Sequence, residues 1–91
     1  MKGNNKISFS KRVYEITKNI SKGTIMSYKE VAKAAGSPKA WRAVGNILHK
    51  NKNPQVPCHR VVRSDGRPGG YRTGRNKKID LLKKEGAKIK P

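Results

Sequence analysis

Apolar residues recur at helical spacing along the first part of the chain. Phe9, Val13, Ile16 and Ile20 stand at i, i+4, i+7 and i+11, one face of an amphipathic helix begun near Ser8 or Ser10. Lys22-Gly23 breaks that pattern. Ser27-Tyr28-Lys29-Glu30 has the form of a capping box, in which the serine caps the helix and the glutamate reaches back. Behind it Val31, Ala32 and Ala35 make a small apolar face, and Gly36 stops the helix. Ser37-Pro38 predicts the opening of a third helix, an N-cap followed by proline at the first helical position. Its inner face reads Trp41, Val44, Ile47 and Leu48, and its outer face Lys39, Arg42, Asn46 and His49. Asn51-Lys52-Asn53-Pro54 is a turn, and Gln55 to Val62 reads as a short extended stretch. Arg63 to Gly70 is glycine-rich and basic, like the wing of a winged helix. Ile79, Leu81 and Leu82 mark a last helix from about Arg75, ended at Gly86.

Two short helices joined by a tight Gly-Ser-Pro turn, the second with a basic outer stripe, make a helix-turn-helix. The predicted fold is therefore mostly α: a small winged-helix-like domain with a helix-turn-helix, a short active-site segment, a wing loop and a C-terminal helix. Residues 1–7 read as a disordered lead-in and residues 8–91 as one domain, without internal repeats.

Charge sharpens this picture. The 91 residues hold 23 Lys and Arg against 5 Asp and Glu, a formal net charge of +18. Such a surplus favours nucleic acid as partner and turns the basic stripe of the third helix into a candidate DNA contact. No apolar run approaches the roughly 20 residues that span a bilayer, so no membrane partner is expected. The single cysteine, Cys58, cannot form an internal disulfide, which fits a reducing interior: cytoplasmic, nucleoid-associated, or nuclear in a eukaryote. One cysteine and two separated histidines, His49 and His59, fall short of a zinc set, and the glycines of 66–74 match no phosphate-binding loop.

Cys58 lies in Pro57-Cys58-His59-Arg60-Val61-Val62, with Arg63 and Arg67 close by. A lone cysteine is ordinarily a small buried hydrophobe, but an electropositive setting favours a reactive thiolate. Glu85 falls in the last turn of the final helix, where the macrodipole disfavours an acid. An acid at an unfavourable position in a chain so poor in acids points to a specific task, such as orienting an imidazole. Cysteine, histidine and carboxylate would then form an activated-nucleophile relay. Adjacent strand residues face opposite ways, so Cys58 and His59 need a bend or a bridging water to cooperate.

The motif Pro57-Cys58-His59-Arg60-Val61-Val62, with Arg42-Ala43-Val44-Gly45, Ile25-Met26-Ser27-Tyr28, Gly70-Tyr71 and Leu81-Leu82-Lys83-Lys84-Glu85-Gly86, closely resembles the O6-alkylguanine-DNA alkyltransferases. The resemblance covers about residues 8–87, in the family's order. It implies DNA repair by irreversible, single-turnover transfer of an alkyl group from guanine O6 to the protein's own cysteine, after minor-groove binding and nucleotide flipping. It implies Cys58 as acceptor, His59 as water-mediated base, Glu85 as the group orienting that histidine, and Tyr28 as a partner of the flipped nucleotide. Arg42 would fill the gap in the stack, on a helix whose small residues Ala40, Ala43 and Gly45 allow close approach, with Lys39, Asn46, Arg67 and Arg75 holding DNA. Tyr71, Arg72, Val56, Pro57 and Asn51 would shape the substrate pocket. The implied partner is double-stranded DNA containing alkylated guanine, bound by a monomer with the option of cooperative binding, and direct displacement requires no cofactor.

Four departures stand against the family pattern. The sequence begins almost at the DNA-binding domain, so the family's usual N-terminal domain is not expected within it. Trp41, read as inward-facing, replaces the usual small residue before the arginine. The stretch from Asn51 to Cys58 is one residue short, and Arg72 stands where a serine-like residue is common. Two further functions compete: a non-catalytic alkyltransferase-like lesion sensor, and a plain basic architectural DNA binder. Lesion sensors of this type carry tryptophan in place of the acceptor cysteine, so Cys58 favours transfer.

Overall fold

The computed structural model describes residues 8–69 and 74–89, with the Arg75 side chain outside that description. Four helices surround a two-stranded parallel sheet: α1 Phe9–Lys18, β1 Met26–Ser27, α2 Tyr28–Ala34, α3 Trp41–His49, β2 Val61–Val62 and α4 Arg75–Lys84. Between α3 and β2, Cys58–Arg60 forms a single 3₁₀ turn. The strands pair Met26 with Val61 and Ser27 with Val62, so the short sheet ties the start of α2 to the end of that turn.

Local chemistry accounts for most element boundaries. The Ser8 hydroxyl accepts from the Lys11 N–H at the start of α1. Ser27 and Glu30 form both halves of a capping box at the start of α2, at 3.0 and 2.8 Å. Two helices end in Schellman motifs. After α2, the Gly36 N–H donates to the Lys33 carbonyl and the Ser37 N–H to the Ala32 carbonyl; after α4, Gly86 and Ala87 repeat the pattern on Lys83 and Leu82.

The first of these motifs corrects the expected start of α3. The Ser37 N–H is engaged in closing α2, and the Ala40 N–H donates to the Ser37 carbonyl at 2.9 Å, so Ser37-Pro38 forms a turn. The helix opens three residues later than Pro38, at Trp41, with Ala40 as an N-cap that offers no side-chain hydrogen bond.

The core joins Val13, Ile20, Val31, Ala32, Ala35, Val44, Leu48, Cys58 and Val61. Ile20 lies past the end of α1, in the connection that follows, and Thr17 takes the buried position on the helix itself, donating to the Val13 carbonyl at 2.7 Å. Trp41 is not part of this core. At the first position of α3 it is 37% exposed, while Val44 and Leu48 carry the inner face. Side chains also lock the helices together. Arg12 Nη1 donates to the Ala35 carbonyl, and the Tyr14 hydroxyl donates to the Ile47 carbonyl, both at 3.2 Å.

Candidate active site and nucleic-acid interface

The segment before the thiol is held by Asn51. Its side chain is buried and donates to the carbonyls of Asn53 and Val56, at 3.2 and 3.3 Å, while accepting from the Asn53 N–H. From there the chain curls instead of extending. The Cys58 N–H donates to the Val56 carbonyl at 2.8 Å and the Arg60 N–H to the Pro57 carbonyl at 2.9 Å. The expected extended stretch is thus confined to Val61–Val62. A 3₁₀ turn separates successive side chains by about 120°, so Cys58 points into the core while His59 and Arg60 point toward the end of α4.

There the structure brings His59 and Glu85 together, with Nε2 2.9 Å from Oε2. Arg60 completes the cluster as a fork. Its Nε and Nη2 donate to the two carboxylate oxygens of Glu85 at 2.9 and 2.8 Å, and its Nη1 donates to the Ile20 carbonyl at 2.8 Å. The hydrogen bond from Arg60 is the main reason that the Glu85 carboxyl is pulled down to about 2, with the His59 bond adding to it. Glu85 is therefore an anion at any physiological pH. Gly23 helps to seat it: with φ at +88° and no side chain, its backbone passes so close to the Glu85 carbonyl that a Cβ would stand 3.1 Å away.

A second arrangement, around Lys78, was missed by the sequence reading. Lys78 is fully buried, and its ammonium donates to the Val61 carbonyl at 2.7 Å and to the Tyr28 hydroxyl at 3.3 Å. Burial lowers its pKa to about 8, while a charge on Cys58 works in the opposite direction and favours the ammonium. Burial likewise raises the Tyr28 hydroxyl, and the Cys58 charge adds to that rise. Tyr28 and Lys78 are thus both within electrostatic reach of the sulfur. The signal for Lys78 was present in the sequence: it precedes Leu82 by four residues and so shares its inward face on α4.

Tyr28 also lines a cavity of about 460 Å³, with Lys29, Trp41, Arg42, Gly45, Arg63, Ser64 and Gly69. That volume lies within the range of small-molecule sites, about 300–1,000 Å³. Gly69 is required where it stands: φ is +75°, and a Cβ would meet Arg63 and Tyr28 atoms at 3.3–3.4 Å. Cys58, 6% exposed, is not among the residues that line this cavity. Val56 and Asn51 border a different hollow, of about 340 Å³, beside Tyr14 and Lys18. Pro57 is buried. Tyr71 and Arg72, expected in the substrate pocket, lie outside the described residues, as does the side chain of Arg75.

The expected DNA-facing residues of α3 share one side of the molecule. Arg42, Ala43 and Asn46 are exposed there, Ala40 and Gly45 are half-buried, and Lys39 is exposed in the turn before the helix rather than on it. His49 is exposed at the far end. Arg67 is exposed in the wing turn, whose Asp65 accepts from the Arg67 N–H at 3.0 Å and pairs with Arg63 at 3.2 Å. Among the described residues no group of three or more His, Cys, Asp and Glu could hold a metal ion. No helix there is long and apolar enough to cross a membrane.

Comparison with known proteins gives one consistent answer. Residues 8–87 match the family model of the 6-O-methylguanine DNA methyltransferase DNA-binding domain. A methylated-DNA–protein-cysteine methyltransferase of Kluyveromyces lactis is 45% identical over 80 residues, 87% of this chain and 42% of its own. The bifunctional transcriptional activator and DNA repair enzyme Ada of Escherichia coli is 43% identical over 86% of this chain and 22% of its own. The chain thus spans less than half the length of either relative. Among solved structures, Mycobacterium tuberculosis OGT in complex with DNA superimposes with a TM-score of 0.82 at 39% identity, over 89% of this chain and 50% of that one. S. pombe Atl1, in complex with damaged DNA containing O6-carboxymethylguanine, gives 0.78 at 30% identity, over 90% and 79%.

Proposed function

The chain belongs to the 6-O-methylguanine DNA methyltransferase family, through its DNA-binding domain, and on that premise we propose that it repairs O6-alkylguanine in DNA by moving the alkyl group onto Cys58. What supports the proposal is that Cys58 adjoins His59, which pairs with Glu85 at 2.9 Å, and lies within electrostatic reach of Tyr28 and Lys78, which share a hydrogen bond.

The chemistry follows from these partners. In the proposed mechanism Glu85, kept anionic by Arg60, accepts from Nε2–H of His59, the tautomer whose lone pair is on Nδ1. Through a bridging water that nitrogen takes the Cys58 proton. The thiolate attacks the alkyl carbon; a C–S bond forms as the C–O6 bond breaks, and the bonding pair stays on the guanine. The guanine gains a proton from the Tyr28 hydroxyl, while the Lys78 ammonium beside that oxygen stabilises the charge left on it. The imidazolium proton restores the balance, so the net change is thiol to thioether and alkylguanine to guanine. A thioether cannot be turned over, and each molecule acts once.

A base within duplex DNA cannot reach a buried sulfur, so the nucleotide must leave the stack. The cavity at Tyr28 is the place proposed for it, and Arg42 on the exposed edge of α3 is proposed to hold the gap. Neighbouring cations, with the uncapped first turn of α3, supply phosphate contacts. The likeness to Atl1 supports a second reading, in which the domain recognises a lesion without removing it. Cys58→Ala separates the two. Binding to an O6-methylguanine duplex is expected to survive while transfer disappears; retained methylation of the variant would overturn the assignment, and a wild-type protein that binds without transfer would establish the second reading.

A further inference from the structure

Trp41, the one tryptophan of the chain, is also the one exposed large hydrophobic residue among those described, with 37% of its surface in solvent. An apolar ring of this size left in water forgoes burial that would stabilise the fold. The core does not require it, since Val44 and Leu48 fill the inner face of α3. Its surroundings are specific. The Arg42 guanidinium lies 5.1 Å from the ring centroid, in cation–π range. Both side chains border the cavity that Tyr28 lines, where the remaining charged residues described, Lys29 and Arg63, are also cations. A flat apolar face rimmed by positive charge complements a planar base carried on a phosphate backbone.

We propose that Trp41 is a base-stacking residue, whose indole packs on a nucleobase uncovered at the cavity mouth when the neighbouring nucleotide leaves the stack. In the free protein Arg42 covers the ring. On DNA the guanidinium moves into the duplex and a base takes its place on the indole. The proposal rests on the assignment of this cavity to a displaced nucleotide. An intact duplex presents no base face, so the contact forms only where the stack is opened. Neither a structural role at the start of α3 nor a phosphate contact would make that distinction.

Emission from a single tryptophan reports on this position directly. The titration uses Cys58→Ala protein, so that the lesion persists, with an O6-methylguanine duplex and an undamaged duplex of the same sequence. At equal occupancy the lesion duplex is expected to quench emission strongly and the undamaged duplex weakly. Adding Trp41→Ala is expected to lower affinity for the lesion duplex by about tenfold, the scale of one base–aromatic stack. Affinity for undamaged DNA and the salt dependence should stay unchanged, and Trp41→Phe should retain most of the binding. Unquenched emission at saturation, or equal affinity losses on both duplexes, would overturn the proposal. If wild-type protein still methylates Cys58 while Trp41→Ala binds normally, the stacking role alone falls. If wild-type protein neither prefers nor repairs the lesion, the assignment of the cavity falls and this proposal with it.

Discussion

Glu85 stands at the C-cap of α4, where the helix dipole works against a carboxylate. Arg60 reverses that preference, because a two-pronged, largely buried ion pair outweighs a terminal dipole. The consequence for stability has a definite sign. In the unfolded chain the group protonates near its ordinary 4.5, and in the folded one near about 2. The difference corresponds to about 3 kcal/mol, fully present above pH 4.5 and lost as pH falls to about 2. Acid titration of Tm should show this loss in the wild type and a flatter curve in Glu85→Gln; parallel curves would contradict it. Lys78 has the opposite balance. Its ammonium is buried against its preference, so the cost to folding eases as pH rises from about 8 toward 10.5. Lys78→Met should therefore fold at least as stably at neutral pH, yet slow alkyl transfer by about 100-fold, a typical effect of removing a positioned proton-handling group. Unchanged transfer rates, measured by single-turnover quench, would remove Lys78 from the mechanism.

At the scale of elements, the capping box at α2 fixes where Tyr28 sits, since Tyr28 is the first residue of that helix. Ser27→Ala is expected to cost about 1 kcal/mol of folding stability, read by urea denaturation, and to leave the m-value unchanged. A cost near zero would mean that the sheet pair alone positions Tyr28. This start was legible in the sequence because its determinants lie within four consecutive residues. The start of α3 was not, because Ser37 has two possible tasks and only the closure of α2 reveals which it performs. Trp41 followed from the same misplacement: a helix begun at Pro38 carries it inside, and one begun at position 41 leaves it at the edge. Cys58–Arg60 read as extended because its 3₁₀ turn depends on Asn51 and on the docking of α4, both distant in sequence. The proximity of His59 and Glu85, 26 residues apart, was anticipated on two grounds: an acid at a helix end needed a reason, and the family resemblance implied that Glu85 orients His59. Lys78 escaped notice among many lysines, although its spacing to Leu82 marked it.

For the whole molecule, a net charge of +18 on 91 residues bears on stability and on the proposed binding of DNA. Self-repulsion works against the compact state wherever charges are unscreened. Raising salt from about 0.01 M to about 0.15 M shortens the Debye length from about 30 to about 8 Å; Tm should rise over that interval, and a constant Tm would mean that the cations are already locally compensated. The same salt should weaken DNA binding, because phosphate contacts release counterions. The fold eases this opposition by giving three of its five acids local tasks, Glu30 at a cap, Asp65 in the wing turn and Glu85 beside His59 and Arg60, and leaving the exposed side of α3 to Arg42 and its neighbours.

The most direct test of the repair chemistry is the intact mass of the protein after mixing with a duplex containing one O6-methylguanine. The expected result is a gain of about 14 Da, one thiol hydrogen replaced by methyl, mapped to Cys58 and saturating at one per chain. An unchanged mass in protein that binds the same duplex tightly would contradict it.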